Sequence, residues 1–232
     1  MTKPIETAAS VNRAADTLRP QARPNKRRIG RIALYKRIVG YGHASILELG
    51  CGSGDLAYAL VDCAQRVVAT DIDPADIEEA RQRAHLWSPS DEQRMKIEFR
   101  AMSALQLDLP ANEFDWAIST SMVEHLAPGD VERHLVEVHR VLKPNGSYLV
   151  WCPNGLGHHH DQAGHLTMWS YGQWIDKSRS AGFKQFRSPL TSRTPLVDAR
   201  WKVFLEGFLT RFEISVLWSH LGVRNVLLVA TK

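Results

Sequence analysis

The sequence predicts a doubly wound α/β domain built on a mostly parallel sheet. Between residues 44 and 152, short apolar runs alternate with stretches of helical periodicity, which is the pattern of repeated β-α-β units. A glycine-rich turn at residues 50–54 (GCGSG) follows the first apolar run and opens the first helical stretch. Asp71 ends the second apolar run, 21 residues after Gly50. In an open parallel sheet these two features meet at the carboxyl ends of the strands, where ligands bind.

The individual elements follow from the spacing of apolar residues. Apolar residues at 29, 32, 34, 38 and 39 predict an amphipathic helix from Arg27 to about Gly40. Strands are predicted over residues 44–49, 66–71, 96–101, 114–119, 146–152, 183–188 and 225–231. Helices are predicted over residues 55–63, 74–86, 130–141 and 171–181, and Gly182 fits the C-cap of the last one. Residues 27–232 are therefore expected to form one domain.

A helical insert is predicted over residues 195–222, between the last two strands. Its aromatic residues fall near one face at helical spacing, and they are Trp201, Phe204, Phe208 and Phe212. This face would pack on the sheet, or it would form a substrate lid or the surface of a homodimer. Basic residues around the insert would suit an acidic or phosphate-bearing substrate, unless they are ordinary solvated charges; they are Lys184, Arg187, Arg193 and Arg200.

The composition is that of a globular protein of 232 residues, with 44% hydrophobic and 23% charged residues. No apolar run approaches the length of about 20 residues that spans a bilayer, and the N-terminus lacks the pattern of a signal peptide. The three cysteines, Cys51, Cys63 and Cys152, fit neither a disulfide framework nor a zinc spacing. A reducing, cytoplasmic setting is expected.

Positive charge is concentrated at the N-terminus. Residues 1–40 hold ten lysines and arginines against two acidic residues, whereas the whole chain has a net charge of +4, so the remainder is about four units negative. Residues 1–26 show no firm periodicity and are expected to form a flexible basic arm. Such an arm could meet an anionic partner, or it could be a solvated leader.

The glycine turn and Asp71 predict a nucleoside site, because glycine backbone can bend tightly against a ligand and a carboxylate can accept hydrogen bonds from ribose hydroxyls. A dinucleotide motif would need a third glycine at position 55, where the chain has Asp55. Glu48 would also repel an anionic pyrophosphate. S-adenosylmethionine (SAM) carries an ammonium and a sulfonium and no phosphate, so acidic Glu48 and Asp55 near the turn favour SAM over NAD.

Four segments resemble motifs of the class I SAM-dependent methyltransferases, and they are ILELGCGSG (46–54), VVATDIDP (67–74), FDWAISTSMVEHL (114–126) and HRVLKPNGSYLV (139–150). The resemblance is to the small-molecule branch that includes the quinone-biosynthesis methyltransferases. It implies a seven-stranded, Rossmann-like sheet with helices on both faces and an antiparallel last strand.

The resemblance also implies roles for individual residues. The glycine turn would wrap the methionine part of SAM, Asp71 would hold the ribose, and Ile72 would pack on adenine. Many relatives have an aspartate after the third strand that binds the adenine amino group; that position here is Ser103, whose hydroxyl makes a weaker contact. The expected cofactor-binding residues are Glu48, Gly50, Cys51, Gly52, Gly54, Asp71, Ile72, Met102, Ser103 and Ser119.

Histidines follow the fourth and fifth predicted strands, where they could face the transferable methyl group. A hydroxyl must lose its proton as it attacks, and a histidine oriented by an aspartate can accept it. Asp161 and His165 match an Asp-x-x-x-His pattern of some relatives that act on glycans and other secondary metabolites. The candidate catalytic residues are His125, His160, Asp161 and His165.

Other interpretations of these histidines remain open. Glu124 and His125 could simply brace the next helix, and the later loop could bond to solvent and backbone. Four histidines and one aspartate within eight residues could also hold a divalent metal. Because proximity in sequence does not ensure convergent geometry, no metal is predicted.

The leading hypothesis is methyl transfer from SAM to a small molecule, at a hydroxyl of a sugar or another secondary metabolite. The chain lacks the N/D-P-P-Y/F sequence of enzymes that methylate exocyclic base amines, so the resemblance points away from methylation of amino groups on nucleic acid, and a nucleic-acid partner is not expected. Two alternatives stay open. The basic arm suggests an RNA or protein methyltransferase, and an intact pocket is also compatible with a SAM-binding partner subunit without catalysis.

Overall fold

A computed structural model of the chain describes residues 26–42, 44–87, 90–155, 164–188 and 225–232. Within these residues, the strands are β1 (Ala44–Leu49), β2 (Ala64–Asp71), β3 (Ile97–Ala101), β4 (Phe114–Thr120), β5 (Leu142–Pro153), β6 (Gln185–Arg187) and β7 (Asn225–Thr231). The helices are α1 (Lys26–Val39), α2 (Asp55–Leu60), α3 (Pro74–Gln82), α4 (Ala84–Trp87), α5 (Asp91–Met95), α6 (Pro128–Val141) and α7 (Tyr171–Ser180). Two 3₁₀ turns span Val61–Cys63 and Val123–His125.

The strands described form one mixed sheet in the order β3-β2-β1-β4-β5-β7-β6. The pairs among β1 to β5 are parallel, whereas β7 is antiparallel to both β5 and β6. β1 therefore lies between β2 and β4, and the carboxyl ends of these three strands meet at one edge of the sheet. This edge is the crevice in which ligands bind in open α/β sheets.

Apolar side chains alternate between the two faces of the central strands and build a core on each face. In β1, Leu47 and Leu49 belong to the core that α6 and α7 cover, whereas Ile46 belongs to the core that α1, α2 and α3 cover. The central strands are apolar on both sides because helices shield both faces from water. This arrangement confirms the predicted doubly wound α/β sheet with an antiparallel last strand.

Helix α6 shows why a given sequence stretch becomes a helix on this sheet. Pro128 occupies its first turn, where a missing N–H has no consequence. Val131, Leu135 and Val138 recur at helical spacing, and all three are fully buried. Val136, on the opposite side, is 56% exposed.

Most predicted elements are confirmed, with differences at their ends. The helix predicted over 55–63 ends at Leu60 and continues as a 3₁₀ turn, and the helix predicted over 74–86 is divided into α3 and α4. Helix α5 was not predicted, although Ser90 and Gln93 form the capping box that begins it. β5 starts at Leu142, and the Lys143–Gly146 stretch bulges between its pairings with Phe114 and Trp116.

Two predicted segments lie outside the described residues, namely most of the basic arm at 1–26 and the helical insert at 195–222. Within the described part of the chain, each helix is too short or too polar to cross a bilayer. All three cysteines are buried and unpaired.

Replacing Leu135 by alanine is expected to lower the free energy of unfolding by about 2–5 kcal/mol, because the change leaves a cavity between α6 and the sheet. Urea denaturation followed by circular dichroism measures this. Val136→Ala is the matched control on the same helix, and its effect should stay below about 1 kcal/mol. Equal losses in the two variants would contradict the packing described for α6.

Candidate active site

The glycine turn and Asp71 are brought into direct contact at the crevice. The N–H groups of Gly50 and Cys51 both donate to the carbonyl of Thr70, at 2.8 and 2.9 Å. The N–H of Gly52 donates to Oδ2 of Asp71 at 2.9 Å. The carboxyl ends of β1 and β2 are neighbours in a parallel pair, so two features 21 residues apart in the sequence form one pocket wall.

The glycines of this turn adopt a backbone conformation that other residues rarely reach. Gly50, Gly52 and Gly54 have φ of 73°, 48° and 75°. A Cβ atom at Gly54 would lie 2.9 Å from carbon atoms of Ala80 and Phe99, whereas one at Gly52 would meet nothing within 4 Å. The turn therefore packs tightly on the protein at Gly54 and leaves open space beside its backbone at Gly52, where a ligand can approach.

Negative charge surrounds the turn. Burial raises the pKa of the Cys51 thiol, and the charges of Glu48, Asp71 and Asp76 raise that pKa further. Glu48 itself is 2% exposed at the end of β1. Because these three carboxylates act on one point of the turn, the site suits a cationic ligand better than an anionic one.

The sequence suggested that Asp55 adds to the negative charge at the glycine turn. The structure instead pairs this carboxylate with other side chains of the protein. Its Oδ1 accepts hydrogen bonds from Nε1 of Trp87 at 3.0 Å and from Nη2 of Arg83 at 3.4 Å. The Arg83 guanidinium offsets the charge of this buried carboxylate, which is 1% exposed. Asp55 thus ties the start of α2 to Arg83 and to Trp87 of α4, and its charge is paired within the protein.

The residues expected at adenine lie next to Asp71. The N–H of Met102 donates to the Asp71 carbonyl at 2.8 Å, which joins the loop after β3 to the end of β2. Ile72 is 64% exposed, so its apolar side chain is free to cover a flat ring. The Ser103 hydroxyl oxygen accepts from the N–H of Leu105 at 3.2 Å and keeps its own proton to donate. Ser119, by contrast, is fully buried at the end of β4.

The structure also brings together two of the four candidate catalytic residues. The rings of His125 and His165 lie with their centroids 5.2 Å apart at an angle of 73°. Nδ1 of His125 lies 2.9 Å from the carbonyl of Gly164, and Thr167 donates its hydroxyl to the Leu126 carbonyl. These bonds hold the loop after β5 against the 3₁₀ turn after β4. His160 and Asp161 lie outside the described residues.

Glu124 completes this cluster, although the sequence suggested only a bracing role for it. The ligand atoms of Glu124, His125 and His165 all lie within 4.8 Å of one another. A carboxylate and two imidazoles can hold a divalent metal ion, and the same atoms can accept protons. The signal in the sequence is that Glu124 directly precedes His125, a candidate catalytic residue.

Glu124 is 2% exposed, and within the described residues its Oε2 has no hydrogen-bond partner. Burial raises the pKa of this carboxyl to about 7. Its backbone carbonyl accepts from the N–H groups of Leu166 and Thr167, so the position of the residue is fixed even though its carboxyl is poorly solvated. A carboxyl of this kind carries a proton for part of the time near neutral pH.

Comparison with known proteins identifies the family of the chain. The model of a methyltransferase domain family matches residues 46–146. A ubiquinone biosynthesis O-methyltransferase of Bartonella bacilliformis is 31% identical over 197 residues, which cover 79% of this chain and 71% of that protein. A probable S-adenosylmethionine-dependent methyltransferase of Mycolicibacterium smegmatis is 32% identical over 111 residues, 48% of this chain and 38% of that protein.

Further relatives match over a shorter part. A 2-phytyl-1,4-naphtoquinone methyltransferase of a Nostoc species is 36% identical over 107 residues, 45% of this chain and 44% of that protein. The chain thus spans less than half the length of two of these curated relatives. Among solved structures, the YcgJ protein of Bacillus subtilis has the same fold, with a TM-score of 0.67 and 16% identity over 88% of this chain and 98% of that one.

Replacing Glu124 by glutamine is expected to stabilise the protein at pH 8 and to have little effect at pH 4.5. In the unfolded chain the carboxyl has an ordinary pKa, and the native state raises that pKa to about 7. Native protein therefore binds the proton more tightly, and wild type loses stability relative to the variant as pH rises between these values, by an amount on the order of 2 kcal/mol.

Thermal unfolding at pH 4.5, 6 and 8 measures this difference. Glu78→Gln, at an exposed glutamate of α3, is the control for the loss of one carboxylate. A difference in Tm between Glu124→Gln and wild type that stays constant with pH would show that the carboxyl remains ionised throughout.

Proposed function

From its place among the class I SAM-dependent methyltransferases, the family to which this chain belongs, we propose that the protein transfers the methyl group of SAM to a hydroxyl of a small molecule. The observation that carries the proposal is the contact between the glycine turn and Asp71 inside a negatively charged crevice. The cofactor of this family is SAM, and its sulfonium supplies an electrophilic methyl group.

The residues present fit this cofactor. The open space beside Gly52 leaves room for the amino-acid part, and Glu48 adds a negative charge for its ammonium. Asp71 accepts from Gly52 and from the N–H of Asp73, yet its two oxygens offer about four acceptor positions, so ribose hydroxyls can still bind. Ile72 and Met102 would border the adenine ring.

The histidine cluster is the proposed proton acceptor. A carbonyl oxygen only accepts hydrogen bonds, so the contact with Gly164 places the proton of neutral His125 on Nδ1. Its Nε2 then keeps a lone pair that can take a proton from an attacking hydroxyl. His165 is the second candidate, because its ring packs on that of His125 beside the same carboxyl. Glu124 would stabilise the imidazolium that forms.

The acceptor is proposed to be a hydroxyl on a small, partly apolar molecule. Relatives named for ubiquinone biosynthesis are O-methyltransferases, and others are named for naphthoquinone and demethylmenaquinone substrates. Leu166, which follows His165 in the chain, is 57% exposed and offers an apolar contact. An aromatic hydroxyl therefore fits as well as the sugar or secondary-metabolite hydroxyl expected from the sequence.

The fold by itself does not decide the chemistry. The [4+2]-cyclase SpnF has the same fold, with a TM-score of 0.63 and 20% identity over 93% of this chain and 84% of that one. Binding of SAM and methyl transfer must therefore be tested separately. Incubation with SAM labelled in its methyl group and with cell extract, followed by separation of small molecules, RNA and protein, identifies the class of acceptor.

Replacing Asp71 by asparagine is expected to weaken binding of SAM and of its demethylated product about tenfold or more, because hydrogen bonds from ribose to a charged acceptor are lost. Isothermal titration measures both ligands. The matched control is Asp73→Asn, since asparagine also caps a helix and this control keeps the start of α3. Unchanged affinity in Asp71→Asn would place the ribose elsewhere.

Replacing His125 or His165 by alanine is expected to lower kcat about 100-fold for the residue that accepts the proton, while SAM affinity changes less than about threefold. Transfer of labelled methyl to the identified acceptor, measured from pH 6 to 9, gives the comparison. His139→Gln, on α6 against Phe183 and away from the cluster, is the control. Full activity in both alanine variants would dismiss this cluster as the base.

A further inference from the structure

Three polar side chains of helix α6 contact the loop that contains the residues expected at adenine. His134, Glu137 and Arg140 are spaced three residues apart and lie on one face of the helix. All three bind the backbone of the loop at residues 102–113, between β3 and β4. The loop begins with Met102 and Ser103, the residues expected at adenine.

Of these three side chains, His134 makes the contact nearest to Met102 and Ser103. This residue is fully buried, and its Nδ1 lies 3.0 Å from the carbonyl of Ala104, directly after Ser103. Nε2 lies 2.9 Å from the Tyr148 hydroxyl. Burial lowers the pKa of His134 to about 4, so the ring is neutral at working pH. Nδ1–H then donates to Ala104 and Nε2 accepts from Tyr148, which fixes the ring and the peptide after Ser103.

The rest of the loop is held by an ion pair. Arg140 donates from Nη1 to the Leu109 carbonyl at 2.8 Å and from Nη2 to the Leu107 carbonyl at 2.7 Å. Glu137 accepts from the N–H of Leu107 at 2.8 Å and from Nε of Arg140 at 2.9 Å. A planar guanidinium that binds two carbonyls and a carboxylate at once holds the loop in one position.

We propose that His134, Glu137 and Arg140 are positioning residues that hold Met102 and Ser103 against the adenine of SAM and so set the selectivity for that base. The proposal rests on the proposed cofactor contacts at these two residues. The same loop is joined to the ribose acid through the bond from Met102 to the Asp71 carbonyl. Movement of the loop would therefore alter the adenine contacts. It would leave the histidine cluster of Glu124, His125 and His165 in place.

The test compares binding of S-adenosylhomocysteine with binding of its deaminated inosine analogue, which differs only at the base. Wild type should prefer the adenine compound about tenfold, the effect of one well-placed hydrogen bond. His134→Phe and Arg140→Met should bind S-adenosylhomocysteine more weakly and bring the two affinities within about threefold of each other. At saturating SAM, kcat should stay near the wild-type value while KM for SAM rises.

The control is Arg133→Met, the same exchange on the same helix at a side chain that is 66% exposed and pairs with Asp130. It should keep both affinities. His134 is fully buried, so His134→Phe can fail to fold; Arg140 is partly exposed, and Arg140→Met keeps the proposal testable. Thermal unfolding confirms that each variant is native at the temperature of the titration.

Equal preference for the two compounds in wild type would overturn the proposal. The proposal would also be overturned if Arg140→Met kept the wild-type ratio between the affinities for the adenine and the inosine compounds. This holds even if both affinities fell together, because a general loss of stability weakens binding of both compounds equally. These outcomes differ from failure of the proposed function, in which wild type binds neither S-adenosylhomocysteine nor SAM.

Discussion

The hydrogen bond from the Gly52 N–H to the Asp71 carboxylate is the contact on which the crevice depends. It exists because β1 and β2 are parallel neighbours whose carboxyl ends lie side by side. Gly52 has a positive φ, and its N–H points toward the carboxylate. Because glycine has no side chain, the space beside the turn stays open. A pocket wall of backbone and one acid can bind a nucleoside and a charged amino-acid group at the same time.

The acidic residues on the two sides of the crevice lie in different electrostatic environments. Around the glycine turn, the charges of Glu48, Asp71 and Asp76 all act on Cys51 and favour a cation. At the ends of β4 and β5, burial instead raises the pKa of Glu124 toward neutrality, next to two histidines. In the proposed function, one side holds the cationic methyl donor and the other exchanges a proton with the acceptor. Both groups of residues lie at one edge of a single sheet.

Helix α6 links stability to the site. Its apolar face covers the sheet through Leu135 and its neighbours, whereas a polar face binds the loop between β3 and β4. His134 contributes to the buried face and to the polar face, since it is fully buried and each of its ring nitrogens has a hydrogen-bond partner. Buried polar groups are tolerated when all their bonds are satisfied, and they then fix one arrangement of the chain. The loop between β3 and β4 is therefore held by side chains of α6 whose own bonds are satisfied.

The sequence by itself determined the order of strands and helices, the glycine turn and the acid at Asp71, because each depends on local periodicity or on the spacing within one β-α-β unit. It also indicated His125 and His165. Only the tertiary structure decided that Glu124 joins these histidines, that Arg83 and Trp87 engage Asp55, and that α6 holds the loop after β3. Those contacts join residues from separate elements, and side-chain direction and burial after packing are not encoded in the spacing of any one segment.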